Sequence, residues 1–229
     1  MELKRVVITG LGAVTPIGNN VKEFAENLSQ GVSGCDLITR FNYERFKTKF
    51  ACEVKGFDPS AHFDRKEARK MDLFAQFAMV AVKEAMEDSQ IDVNSIIPRR
   101  SGVIWASGIG GIETFLQEVK SYASGDGTPR FNPFFIPKMI SDIAAGLISI
   151  KYNFQGPNFS TVSACASSTN AIIDSLNYIR LGQADVIITG GSEAAINEAG
   201  MGGFNAMQAI STKNEAYQTA SRPFDKTRD

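Results

Sequence analysis

The chain has 229 residues, 43% hydrophobic and 21% charged, with a net charge of −1, three cysteines and one histidine. So small a net charge gives no overall attraction to nucleic acid or to an anionic membrane surface, and no stretch approaches the roughly 18 consecutive apolar residues of a membrane span. An odd number of widely spaced cysteines beside one histidine fits neither a disulfide framework nor a zinc site, so no metal is expected and a reducing cytoplasm is the expected location.

Taken in chain order, the first element is "RVVITGLG" at residues 5–12, a β-branched run closed by glycines that predicts a buried strand rather than a signal peptide. Residues 31–57 are mixed in pattern and predict an excursion from the main fold. "RKMDLFAQFAMVAVKEAMEDS" predicts a helix with Leu73, Phe77, Val80 and Ala81 on its apolar face. "SGVIWASG" at residues 101–108 reads as a second buried strand, and "SGDGTPRFNPFF" reads as a loop by its glycines and prolines. "PKMISDIAAGLISIKY" predicts a helix burying Ile140, Ala144, Leu147 and Ile148. "ADVIITGG" at residues 184–191 is a third strand, and strands alternating with helices predict a mainly parallel sheet covered by helices. The polar ending "STKNEAYQTASRPFDKTRD" carries no packing pattern; it reads either as a disordered tail or as part of a fold that continues past it.

Between the second and third strands stands "STVSACASSTNAIIDSLNYIRLG", with Ile172, Leu176 and Ile179 at helical spacing, Ile173 beside them and Gly182 as a stop. A helix beginning near residues 164–167 places Cys165 at its positive end, where unpaired N–H groups and the macrodipole favour a thiolate. The competing reading is a buried cysteine acting as a small hydrophobe, which is also the reading for Cys35 and Cys52. Glycine clusters elsewhere fail the tests for nucleotide sites. "GLGAVT" and "GIGGIE" lack the third glycine of a dinucleotide turn, no P-loop occurs, and "GGSEA" misses the serine-hydrolase elbow. Lys66, Arg69 and Lys70 fall on one helical face, ordinarily a solvated one.

The motifs "ITGLGAVTPIG", "SGIGG", "NPFFIPKMISDIAAG", "GPNFSTVSACASSTNAI", "ADVIITGGSEA", "GGFNAMQAIST" and "ASRPFDKTRD" occur in this order along essentially the whole chain. In this the chain resembles the β-ketoacyl-acyl carrier protein synthase II family, bacterial fatty-acid elongation condensing enzymes of layered, thiolase-like α/β fold. The resemblance implies that residues 1–229 are the N-terminal of two similar halves, with the C-terminal half absent. It implies Cys165 as the acyl-accepting nucleophile, with its own N–H as one oxyanion-hole donor. Ile109 and Phe204 would line the acyl pocket. Phe135 would close the pocket of a neighbouring subunit, which makes a homodimer the expected assembly. Lys66, Arg69 and Lys70, with Arg130, would dock the acidic acyl carrier protein, whose phosphopantetheine arm leaves no need for a cofactor in this chain. Gln208 stands where some relatives carry arginine, and Asn170 where some carry histidine. The family's two catalytic histidines have no counterpart here, His62 matching neither, so condensation by these residues alone is not expected. A polyketide-type ketosynthase and a non-catalytic chain-length partner subunit are the alternatives within this fold.

Overall fold

The computed structural model describes residues 3–229. In chain order it forms α1 (Val21–Ser29), β1 (Asp36–Leu37), β2 (Phe50–Ala51), α2 (Arg65–Arg69), α3 (Leu73–Ser89), β3 (Ser101–Ala106), α4 (Ile112–Ala123), α5 (Phe135–Met139), α6 (Ile143–Tyr152), β4 (Asn158–Phe159), α7 (Ser167–Arg180), β5 (Val186–Gly191) and α8 (Glu198–Ala206). Two compact units result: one holds Pro59–Ala194 with the segment up to Gly12, the other Ala13–Asp58 with Ala195–Asp229.

The first unit is built on a parallel sheet of order β4-β3-β5, with Val103 opposite Asn158 and Ser101 opposite Val186. β3 is buried along its whole length, and its period of two sends Val103 and Trp105 to one face and Ile104 and Ala106 to the other. On the first face Phe74, Ala75, Ala78, Met79 and Val82 of α3 pack with Ala144, Ala145 and Ile148 of α6. On the second, Ala171 of α7 meets Ile104 and Ala106. The unit is therefore three layers, two helices over a sheet over one helix, as the alternating pattern predicts.

Four predicted details are corrected. Residues 5–12 form no strand among the described residues. The segment is tied down by the Lys4 N–H donating to Arg180 O (3.3 Å) and the Leu11 N–H donating to Asp88 Oδ2 (2.9 Å), and without a ladder partner Val7 and Ile8 stay 58% and 82% exposed. The buried side of α3 is centred on Phe74, Ala75, Ala78 and Val82, with the predicted Phe77 also buried, rather than on Leu73, Val80 and Ala81, because the helix packs against α6, where the small alanines admit close approach. In α7 the buried line is Ser167, Ala171 and Ser175, while Ile172 and Ile173 are 53% and 47% exposed. The helix predicted from "PKMISDIAAGLISIKY" is two, α5 and α6, parted at residues 140–142, so that Ile140 is exposed while Ala144, Ala145 and Ile148 are buried.

In the second unit β1 and β2 pair antiparallel within the predicted excursion. Thr48 and Lys49 join it to α8 and the segment beyond. The Asn205 Nδ2 donates to Thr48 Oγ1 (2.8 Å), the Thr48 hydroxyl to Ser211 O (2.7 Å), and the Lys49 N–H to Asn214 Oδ1 (2.9 Å). The polar ending is ordered as well: Asp229 accepts from the Ser211 hydroxyl (2.7 Å) and the Thr212 N–H (2.9 Å), and the Arg222 guanidinium donates to Thr227 O (2.7 Å). Hydrogen bonding, not an apolar stripe, organises it, and that is why periodicity missed it.

Candidate active site

Parallel strands in one sheet deliver their exits to one edge, and clefts form outside the carboxyl ends of such strands. Here Gly108 follows β3, Cys165 follows β4 and Glu193 follows β5.

Cys165 is exposed, two residues ahead of α7. The turn that carries it is strained. Ala164 sits at φ 52, in the left-handed region that a residue with a Cβ seldom adopts. Local polar side chains hold it there: the Ser167 hydroxyl donates to Ala164 O (2.6 Å) while accepting from the Ser163 N–H (2.8 Å), and Asn170 Nδ2 donates to Ser163 Oγ (2.6 Å). Asn170, which stands where some relatives carry histidine, is thus a brace of the turn that carries Cys165. α7 can begin this close to the sheet because residue 191 is glycine. A Cβ there would collide with Ser168 Oγ and come within 2.9 Å of Ala106 O.

Opposite Cys165 lies the turn at residues 107–111. The Glu193 carboxylate accepts from the Gly108 N–H (2.9 Å) and the Ile109 N–H (3.0 Å), and weakly from the Ser107 hydroxyl (3.4 Å). A Cβ on Gly108 would lie 3.5 Å from Ala164 O, so this turn and the turn of Cys165 are neighbours. On its far side Gly110, at φ 73, passes so near Met139 O that a Cβ would come within 2.7 Å, and the Gly111 N–H donates to the same oxygen (2.9 Å). Glu193 is the residue that sequence reasoning missed; the only signal was an acidic residue just past a glycine-closed strand. Burial of its carboxyl end raises its pKa, against the lowering effect of the Ile109 and Gly108 N–H groups. A raised folded pKa means that the proton is held more tightly in the fold than in the unfolded chain. The contribution of this group to stability is therefore full below its ordinary carboxylate range and falls as pH rises through the raised value.

Glu193→Ala leaves two N–H donors without their acceptor and should cost about 1 kcal/mol, the low end for an acceptor removed, because the same desolvation that raises the Glu193 pKa offsets part of what the bonds contribute. Glu193→Gln should recover most of this, since both N–H groups donate to the one oxygen Oε2, which the amide carbonyl can replace while its NH2 faces the Ser107 hydroxyl. Urea titrations of the three proteins check the order; equal midpoints would show that the turn holds itself.

Ile109 stands exposed on this turn, its N–H held by Glu193. Phe135 is half-buried in a stack with Phe131 (5.5 Å between centroids) and Phe115 (6.3 Å) at the start of α5. Phe204 lies on α8 in the second unit, next to Asn205, which Thr48 anchors. Lys66, Arg69 and Lys70 are exposed on and just after α2, capped at its start by Asp64. Lys70 Nζ rests 5.5 Å from the Phe134 ring centroid, and Arg69 lines a shallow cleft with Asn132, Pro133, Phe134 and Lys138. Lys138 joins the predicted cations, and its backbone abuts Gly111. Arg130 stands two residues before that cleft, paired with Asp126 at 3.6 Å. Among the described residues no three His, Cys, Asp or Glu side chains gather as a metal site, and no helix is long and apolar enough to cross a membrane.

A family profile for the beta-ketoacyl synthase N-terminal domain matches residues 3–229. The chain is 47% identical over 226 residues to 3-oxoacyl-acyl-carrier-protein synthase 2 of Staphylococcus aureus strain COL, covering 99% of this chain and 54% of the relative. It is 44% identical over 229 residues to the protein of the same name from Coxiella burnetii, covering 100% and 55%. A crystal structure of a beta-ketoacyl synthase from Burkholderia phymatum superposes over 100% of this chain and 56% of its own with a TM-score of 0.85 at 28% identity. The chain thus spans about half the length of the curated relatives it matches. With its layered α/β fold, the cysteine ahead of α7 and matching motifs from end to end, this chain belongs to the beta-ketoacyl synthase family and carries that family's N-terminal domain.

Proposed function

We propose that this chain supplies the acyl-accepting half of a β-ketoacyl-acyl carrier protein synthase of fatty-acid elongation. The Cys165 thiolate attacks the carbonyl of an acyl thioester carried on acyl carrier protein. The tetrahedral oxyanion forms beside the Cys165 N–H, and its collapse expels the phosphopantetheine thiol, which leaves with the proton that Cys165 gave up. In the whole protein, malonyl-acyl carrier protein then loses carbon dioxide, and its carbanion displaces Cys165 from the thioester to give a β-ketoacyl chain two carbons longer. The observation that carries this reading is an exposed cysteine on a strained, hydrogen-bonded turn at the carboxyl edge of a parallel sheet. Ile109 and Phe204 are assigned to the acyl pocket and Phe135 to the pocket of a second copy in a homodimer, and the site of action is the cytoplasm. The residues present call for no metal or organic cofactor of their own. Incubation with a radiolabelled acyl thioester, followed by digestion, tests the first step; label on any residue other than Cys165 would refute it.

Acyl carrier protein is the partner in this reading, and Lys66, Arg69, Lys70 and Arg130 are its dock. The added support is that Arg69 and Lys138 line one cleft with Phe134, an aromatic and cationic surface suited to an acidic partner. Reversing Lys66, Arg69 and Lys70 to glutamate should weaken carrier-protein binding about tenfold or more, chiefly through slower association, and the wild-type affinity should fall with added salt. An unchanged dissociation constant in the triple variant would return these residues to a plain solvated face.

A further inference from the structure

We propose that Cys35 and Cys52 form a dithiol modification site, which closes reversibly into a cross-strand disulfide by exchange with a small-molecule disulfide such as oxidised glutathione. The first ground is register. Asp36 stands opposite Ala51 and Leu37 opposite Phe50 in the antiparallel β1–β2 pair, and one further step along the same diagonal sets Cys35 directly opposite Cys52. The Ile38 N–H donates to Lys49 O (3.1 Å), making residues 38 and 49 a hydrogen-bonded pair. The alternation of an antiparallel ladder then makes 35 and 52 a non-hydrogen-bonded pair, for which Cα atoms stand about 4.5 Å apart, inside the range of about 4.4–6.8 Å that a disulfide spans.

The second ground is the closeness of the thiols, near enough for Cys52 to act on the Cys35 thiol, and both are unoxidised. Burial, then the neighbouring Cys52, then Asp36 push the Cys35 thiol up to about 11, with Lys55 pulling the other way. Cys35 is therefore protonated near neutrality, while Cys52 is exposed. That asymmetry orders the chemistry. The Cys52 thiolate attacks one sulfur of the small disulfide, forming a mixed disulfide and releasing one thiol. Cys35 then loses its proton and attacks the Cys52 sulfur, releasing the second thiol. Two protein thiols are oxidised and one disulfide is reduced to two thiols, so the exchange balances. The link would close the segment that holds Thr48 and Lys49, whose hydrogen bonds anchor Asn205 and Asn214, and so would reach α8 within the same unit.

The test is to equilibrate the purified protein in glutathione buffers of graded ratio, quench with acid, block free thiols with N-ethylmaleimide and map the peptides by mass. The expected result is a Cys35–Cys52 link that reverses with dithiothreitol and exceeds the mixed disulfide on Cys52 about tenfold or more, because the second step is intramolecular. Cys165→Ser should give the same link, and Cys35→Ser should stop at glutathione held on Cys52. A wild-type protein that keeps glutathione on Cys52 without forming the link, or that joins either residue to Cys165, overturns the proposal. The wild-type map decides the matter even if a variant fails to fold.

Discussion

Cys165→Ser is expected to abolish the acyl-enzyme and to slow acyl transfer by about a thousandfold or more, because a serine hydroxyl at this turn has neither the acidity nor the nucleophilicity of a thiol and no neighbouring base is assigned to activate it. The fold should not register the change. Cys165 is exposed, its turn is held by Ser163, Ser167 and Asn170 rather than by sulfur, and surface replacements of this kind usually stay within about 0.5 kcal/mol. Intact-protein mass after incubation with an acyl thioester reads the first effect, and a urea titration reads the second. In the unmodified protein the same thiol should be alkylated by iodoacetamide well ahead of Cys35, whose thiol burial pushes up to about 11. Acylation that persists in the serine variant would move the nucleophile elsewhere, with the exposed Cys52 as the first place to look.

Much of this site was legible before any coordinates, and the reasons are local. The apolar spacing from Ile172 to Ile179 marked a helix, Gly182 marked its end, and α7 does run from Ser167 to Arg180. Two glycine-closed runs became β3 and β5 because a buried parallel strand writes itself as continuous apolar sequence. What local pattern could not carry was the identity of the neighbours. Residues 5–12 have the composition of a strand, but a strand also needs a ladder, and none is supplied among the described residues. In α7 the isoleucines mark the apolar stripe, yet Ser167, Ala171 and Ser175 meet the sheet, since a helix that must begin beside Gly191 and Ser168 can only approach through small side chains. Glu193 and the 107–111 turn are about 85 residues apart in sequence, as are many partners that only a sheet brings together. The Cys35–Cys52 pair was hidden for the same reason, its register being a property of two short strands.

A polypeptide of residues 1–229 alone is expected to load an acyl group on Cys165 yet to release no carbon dioxide from malonyl-acyl carrier protein. Loading asks for a cysteine nucleophile and nearby N–H donors, which the proposed function assigns to the turn of Cys165. Decarboxylation is a different demand: it develops an enolate-like charge that must be met by donors fixed beside the malonyl carbonyl. In the resemblance that role falls to two histidines without counterparts here. His62, the sole histidine, follows the short 3-10 turn Pro59–Ala61, donates its N–H to Pro59 O (3.1 Å) and lies on the approach to α2, not at the strand exits that carry Cys165 and Glu193. The exposed Val7, Ile8, Ile172 and Ile173 add a second expectation, that this polypeptide binds apolar dyes and self-associates at micromolar concentration. The measurement is release of labelled carbon dioxide by residues 1–229, and by the same residues fused to the second half of the Staphylococcus aureus relative, with acyl loading of Cys165 followed in both as the control for folding. Sustained decarboxylation by residues 1–229 alone would place the donors for that step inside this chain and overturn the assignment; activity in the fusion alone is the result that the chemistry of these residues predicts.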